Sequence, residues 1–141
     1  YLAARLREYG LQPTTIDQRA TVVSFHLFML RYVPEAFGGM SRDEFLTALT
    51  AEGIPCSGGY VHPLYRNPMF LNKEFWNGSF PCVAPYARDI DYAEFSERCP
   101  DSERVCREAI WFGQNMLLGT KEDVDDIVDA VAKIKEYAVD R

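Results

Sequence analysis

The sequence predicts an α/β (α+β) domain, a small sheet of three or four strands with helices packed on one face. Three observations lead there. Segments rich in β-branched and aromatic residues alternate along the chain with segments of helical periodicity. Two helical segments open on N-terminal signatures: Ser41 and Glu44 make a capping box, and Thr120 precedes Asp123 at the third helical position. The chain has 141 residues, 48% of them apolar and 26% charged, enough for one ordinary domain with a buried core. Strands interleaved with amphipathic helices hide their apolar faces most simply in two layers.

Taken in order, YLAARLREYG (1–10) sets Leu2, Leu6 and Tyr9 at helical spacing and ends on Gly10, a natural helix stop. It opens with neither a Met nor an N-cap, so we expect the chain to start inside a helix of a longer protein. LQPTTIDQRAT (11–21) reads as polar connector. TVVSFHLFMLRY (21–32) reads as a strand, with His26 as a structural side chain satisfied within it. PEAFGGM is a loop. SRDEFLTALTAEG (41–53) is a helix whose apolar stripe is Phe45, Leu46, Ala48 and Leu49, closed by Gly53. IPCSGGYV (54–61) can form a short second strand broken at its glycines.

Residues 62–87 have little regular pattern, yet aromatics recur there: Tyr65, Phe70, Phe75, Trp76, Phe80 and Tyr86. A loop this long is functional or disordered, and this one is too aromatic for comfortable disorder. The stretch GIPCSGGYVHPLYRNPMF (53–70) holds three glycines and three prolines beside its aromatics. Turn-formers mark loops, whereas aromatics mark packing, so this segment is expected to have a partner surface. Residues 91–98 suggest a short helix and PDSERVCREA (100–109) a longer one opened by Pro and acids. AIWFG (109–113) reads as a third strand. TKEDVDDIVDAVAKIKEYA (120–138) is the clearest helix, with Val124, Ile127, Val128, Val131 and Ile134 on one stripe. Acids fill its first turns and Lys133 and Lys135 its last, as the helix dipole favours. Its carboxylates read as a solvated face.

The net charge is −6 and the sequence pI about 4.9, with no clustered basic face, so no nucleic-acid partner is expected. No apolar run nears the roughly 18 residues that would cross a bilayer, and no secretory signal opens the chain. A cytoplasmic location without membrane contact is therefore expected. Cys56, Cys82, Cys99 and Cys106 include no CxxC pair, and His26 and His62 are the only histidines, so no metal site is expected and the cysteines read as free thiols.

Candidate chemistry within the chain is sparse. Cys56 and His62 could pair as nucleophile and base, which would make the protein a Cys hydrolase, but nothing nearby would orient the base. Ser57-Gly58-Gly59 could cradle a phosphate, but Tyr-Val-His-Pro follows where such a loop needs a helix start; a turn allowing close backbone approach accounts for it equally. The four lysines, Lys73, Lys121, Lys133 and Lys135, fall in polar settings unlike that of a Schiff-base lysine. No catalytic residue is expected in this chain.

The ordered set HLFMLRY, then SRDEFLTALTAEGIPCSGGYVHPLYRNPMF, then CPDSERVCREAIWFGQNMLLGTKEDVDDIVDAVAKI resembles the C-terminal domain of the DegT/DnrJ sugar aminotransferases, most nearly the glutamine-dependent cyclitol branch. The resemblance spans roughly residues 20–138. It implies the small domain of a pyridoxal-phosphate (PLP) enzyme of the aspartate-aminotransferase fold, with a mainly antiparallel sheet. Residues 1–20 would then be the end of an interdomain helix and its connector, and 21–141 the small domain. PLP and the Schiff-base lysine would belong to a large N-terminal domain missing here. This chain alone would bind no cofactor and be inactive.

The resemblance also implies a homodimer. The amino donor would be glutamate or glutamine, and the acceptor a ketosugar or cyclitol ketone. The family's loop motif of Tyr, then Pro-Leu-His or Pro-Leu-Tyr, then Pro and an aromatic matches Tyr60, Pro63, Leu64, Tyr65, Pro68 and Phe70. Tyr65 stands where many sugar aminotransferases have His, which points away from a simple nucleotide-sugar. Tyr60 and Tyr65, then His62 and Ser57, are the candidates for substrate contact. The aromatics of 66–86, deprived of a large domain, would drive the isolated chain to self-associate. The alternative reading is a free-standing α/β module that binds a partner or ligand through the aromatic loop.

Overall fold

A computed structural model describes residues 1–73 and 90–140, in two compact units. The first comprises Tyr1–Gly59 and Glu108–Arg141, the second Tyr60–Arg107.

In the first unit, helix α1 (Leu2–Glu8) buries Leu2 and Leu6. It ends in a Schellman motif: the Gly10 N–H reaches the Arg7 carbonyl at 3.1 Å and the Leu11 N–H the Leu6 carbonyl at 3.2 Å. Gly10 takes φ +96°, and Leu6 and Leu11, the motif's hydrophobic pair, are fully buried. Three antiparallel strands follow in spatial order β1 (Gln12–Pro13), β2 (Leu27–Arg31) and β3 (Ala109–Gly113). Gln12 pairs with Arg31, and β2 pairs with β3 from Leu27 opposite Gly113 to Arg31 opposite Ala109. Alternation puts Phe28, Leu30, Ile110 and Phe112 on the core face and leaves Met29 exposed on the other.

Two helices supply much of the opposing layer. Helix α2 (Arg42–Ala51) carries the expected Ser41–Glu44 capping box and buries Phe45 and Leu49. Helix α6 (Lys121–Val139) opens on the Thr120–Asp123 capping box and buries Ile127, Val128, Val131 and Ile134. A 3-10 turn over Pro34–Phe37 brings Phe37 against Tyr32 at 5.0 Å and Phe45 at 4.9 Å between ring centres. The Tyr32 hydroxyl donates to the Met40 carbonyl at 2.9 Å, and burial pushes its pKa up. Arg31 pairs with Glu108 beside the β2–β3 ladder.

The second unit holds a 3-10 turn over Leu64–Arg66, two single-turn helices, α3 (Pro68–Leu71) and α4 (Phe95–Arg98), and most of α5 (Pro100–Glu108). Its aromatics pack in a row: Tyr65 on Phe95 (5.9 Å), Phe95 on Tyr92 (5.8 Å) and Tyr92 on Phe70 (5.3 Å). Phe75, Trp76, Phe80, Cys82 and Tyr86, part of the expected aromatic patch and cysteine set, lie outside the described residues.

The sheet and helices follow the sequence reading, with four corrections. The connector at 11–21 contains β1, because Gln12 and Pro13 gain a partner in β2. The expected strand over 21–32 begins only at Leu27; Val22 is 86% exposed, and β-branched character did not make a strand of 21–26. His26 is thus an exposed residue just before β2, not the structural side chain expected within the strand. Residues 54–61 form a single bridge, Ser57 with Trp111, where a short strand was expected.

Candidate functional site

The segment that opens at Gly53 leaves α2 through a second Schellman motif: the Gly53 N–H bonds the Thr50 carbonyl at 3.0 Å and the Ile54 N–H the Leu49 carbonyl at 3.1 Å. Cys56 follows, its thiol against the Leu46 carbonyl (3.7 Å) and the Thr50 hydroxyl (3.6 Å). Burial raises its pKa, the reverse of what a reactive thiolate needs.

Ser57 exchanges both backbone hydrogen bonds with Trp111, at 3.1 and 2.8 Å. The bridge pins the segment to β3 and leaves Ser57 exposed. Arg42 holds the next residue by donating from Nη1 to the Gly58 carbonyl at 3.2 Å. Gly59 takes φ +71°, and a Cβ there would sit 2.6 Å from Cε2 of the Trp111 indole. The glycines at 58–59 therefore serve close packing against Arg42 and Trp111, as the turn reading expected.

In the second unit Tyr60 is 73% exposed, and Val61, His62 and Leu64 are exposed as well. Pro63 is buried and sets φ −60° ahead of the 3-10 turn, which closes through Arg66 N–H to the Pro63 carbonyl at 2.9 Å. The Tyr65 hydroxyl donates to Glu103 Oε1 at 2.7 Å, and Arg66 Nε donates to the same oxygen at 2.7 Å. Desolvation first, then the hydrogen bond to Glu103, pushes the Tyr65 pKa up to about 12. Of the four candidate residues, Ser57 thus belongs to the first unit, and Tyr60, His62 and Tyr65 to the second, where Tyr65 is tied into a polar cluster with Arg66 and Glu103. Sequence reasoning missed Glu103, which reads as one of the acids opening α5, and Arg42, whose target is a carbonyl 16 residues away. Neither contact leaves a local sequence signal.

The lysines do not fit a Schiff base. Lys121 pairs with Asp125 at 3.2 Å, and hydrogen bonds to Tyr1 and Asp125 raise its pKa. Lys133 pairs with Glu52 at 2.8 Å, Lys135 donates to the Tyr9 carbonyl at 3.0 Å, and Lys73 is exposed. A nucleophilic amine needs the opposite environment, apolar or cationic. Among the described residues no helix is long and apolar enough to cross a membrane, and no group of three or more His, Cys, Asp or Glu is placed to hold a metal ion.

No family model matches the chain. Relatives do. A Micromonospora echinospora protein assigned as L-glutamine:3-amino-2,3-dideoxy-scyllo-inosose aminotransferase is 31% identical over 131 residues, covering 90% of this chain and 30% of the relative. The L-glutamine:2-deoxy-scyllo-inosose aminotransferase of Streptoalloteichus tenebrarius is 32% identical over 133 residues, covering 94% of this chain and 30% of its own. The chain thus spans about 30% of the length of the curated relatives it matches. Among solved structures, 3-amino-5-hydroxybenzoic acid (AHBA) synthase superposes with a TM-score of 0.71 over 97% of this chain and 32% of that one, at 20% identity. That likeness establishes the fold: a three-stranded antiparallel sheet layered with helices. By sequence, the chain is similar to glutamine:inosose aminotransferases over about 30% of their length.

Proposed function

We propose that this chain is the C-terminal small domain of a PLP-dependent aminotransferase that moves the amino group of glutamine, or glutamate, onto a cyclitol ketone. The observation that carries this reading is the match of 90–94% of the chain to relatives named for glutamine and an inosose. Residues 1–20 are then the end of the helix and connector arriving from a large N-terminal domain, and 21–141 the small domain. The large domain holds PLP, which supplies the electron sink for amino transfer when bound. The ion-paired and exposed lysines of this chain support that division of labour.

In this reading Ser57 of the first unit and residues 60–70 of the second are each candidates for substrate contact. Tyr60 and His62 are exposed, as substrate-facing groups must be. Ser57 is held at an exposed position by its bridge to Trp111. Tyr65 donates its proton to Glu103, yet its oxygen keeps lone pairs that can accept from a substrate hydroxyl. The complete enzyme works as a cytoplasmic homodimer. The test is to express the longer protein that carries this chain, supply PLP, glutamine and 2-deoxy-scyllo-inosose, and look for the aminocyclitol by mass spectrometry. Product that depends on glutamine supports the reading; intact ketone with a PLP-loaded protein refutes it.

A further inference from the structure

The described part of the second unit brings two consecutive loop residues onto one carboxylate oxygen. Glu103 Oε1 accepts from the Tyr65 hydroxyl and from Arg66 Nε, each at 2.7 Å, across 37 or 38 residues of sequence. The Glu103 side chain is only 14% exposed, whereas that of Arg66 is half exposed. A carboxylate this covered is normally matched by donors, and here both donors to Oε1 come from the Pro63–Leu64–Tyr65–Arg66 stretch, while Arg107 pairs with Oε2 at 4.0 Å.

The 3-10 turn does not need Glu103 to keep its backbone. Arg66 N–H to Pro63 and Asn67 N–H to Leu64 close it at 2.9 and 3.0 Å, and Pro63 fixes its entry. What the carboxylate fixes is side-chain direction. A phenol ring packed on Phe95, 5.9 Å away and tilted 34°, could still turn its hydroxyl. Donation to a carboxylate removes that freedom and spends the only proton the hydroxyl has.

We propose that Glu103 is the positioning residue of the substrate loop, orienting the Tyr65 hydroxyl so that it meets the substrate as a hydrogen-bond acceptor and thereby selects a ligand that offers a donor there. The proposal rests on the function proposed above and deepens it. Cyclitol ketones carry ring hydroxyls, which are such donors. A carbonyl at the same place would find no proton to receive. Tyr65 remains protonated to strongly alkaline pH, so this polarity holds across the whole working range.

The test uses the complete protein with Glu103→Ala, Glu103→Gln, Tyr65→Phe and the Ala/Phe double variant. Losing one oriented hydrogen bond should raise KM for the ketone about tenfold in Glu103→Ala and Tyr65→Phe, with kcat changed less than about threefold. The amide oxygen of Glu103→Gln still accepts from Tyr65, so its KM should stay within about threefold of wild type. The double variant should be no worse than either single one. In parallel, trypsin cleavage after Arg66 reports release of the loop and should quicken in Glu103→Ala. An unchanged KM in Glu103→Ala, additive losses in the double variant, or a folded Glu103→Gln as impaired as Ala would each overturn the proposal. Should Glu103→Ala fail to fold, the Gln and Tyr65→Phe values decide alone. A PLP-loaded wild-type protein that leaves the ketone untouched refutes the function itself, and the proposal falls with it.

Discussion

Replacing Gly59 with Ala tests how the loop is fastened to the sheet. The added Cβ would come within 2.6, 2.8 and 3.0 Å of Trp111 indole atoms, where ordinary contacts begin near 3.4 Å. Two costs add. Holding a non-glycine residue at φ +71° costs about 1–2 kcal/mol. Forcing a methyl group into a filled space costs about 1–3 kcal/mol, and the half-buried indole can yield some of that by shifting. After that relief the total is about 2–4 kcal/mol, or roughly 6–16 °C in Tm for a domain of this size. Gly53→Ala is the matched control: its φ is +88°, but nothing lies within 4 Å of the new Cβ, so it should lose only the conformational share. Thermal unfolding followed by circular dichroism compares the two. Equal Tm losses would refute the reasoning, because they would mean that Trp111 does not press on Gly59.

Phe45→Ala, in the Tyr32–Phe37–Phe45 cluster, should destabilise by about 3–5 kcal/mol in chemical unfolding. Ser41→Ala removes the oxygen that caps α2 and should cost about 1 kcal/mol in the same assay. Because the Tyr65 pKa is raised in the folded state, its share of stability is complete below the unfolded value near 10 and is lost as pH climbs towards about 12; stability measured across that window should fall more steeply in wild type than in Tyr65→Phe. The chain incubated with PLP and reduced with borohydride should yield no single stoichiometric pyridoxyl-lysine by peptide mapping, since Lys73 is exposed, Lys121 and Lys133 are ion-paired and Lys135 is bound to the Tyr9 carbonyl.

The parts of the fold legible in the sequence are those whose cause is local. Ser41 with Glu44 and Thr120 with Asp123 are three residues apart, and each pair marks a helix start that the structure keeps. The stripe Ile127, Val128, Val131, Ile134 repeats at helical period and is buried along its length. Features with a distant cause were hidden. Gln12 and Pro13 have poor strand propensity and become β1 only because Arg31 and Leu30 offer an edge. Val22 and Val23 have the propensity but remain exposed outside β2. The loop's glycines and tyrosines were readable as a motif, yet the groups that hold them, Trp111, Arg42 and Glu103, lie 16 to 52 residues away from their targets. No periodicity links residues so far apart.

The central claim is the reaction, and the most direct measurement is amino transfer by the longer protein that contains this chain. Purified with PLP and given amide-15N glutamine and, separately, α-15N glutamine, it should label the amine of the cyclitol product from the α position only. Label absent from the cyclitol under both conditions, with PLP bound and the protein folded, would contradict the account.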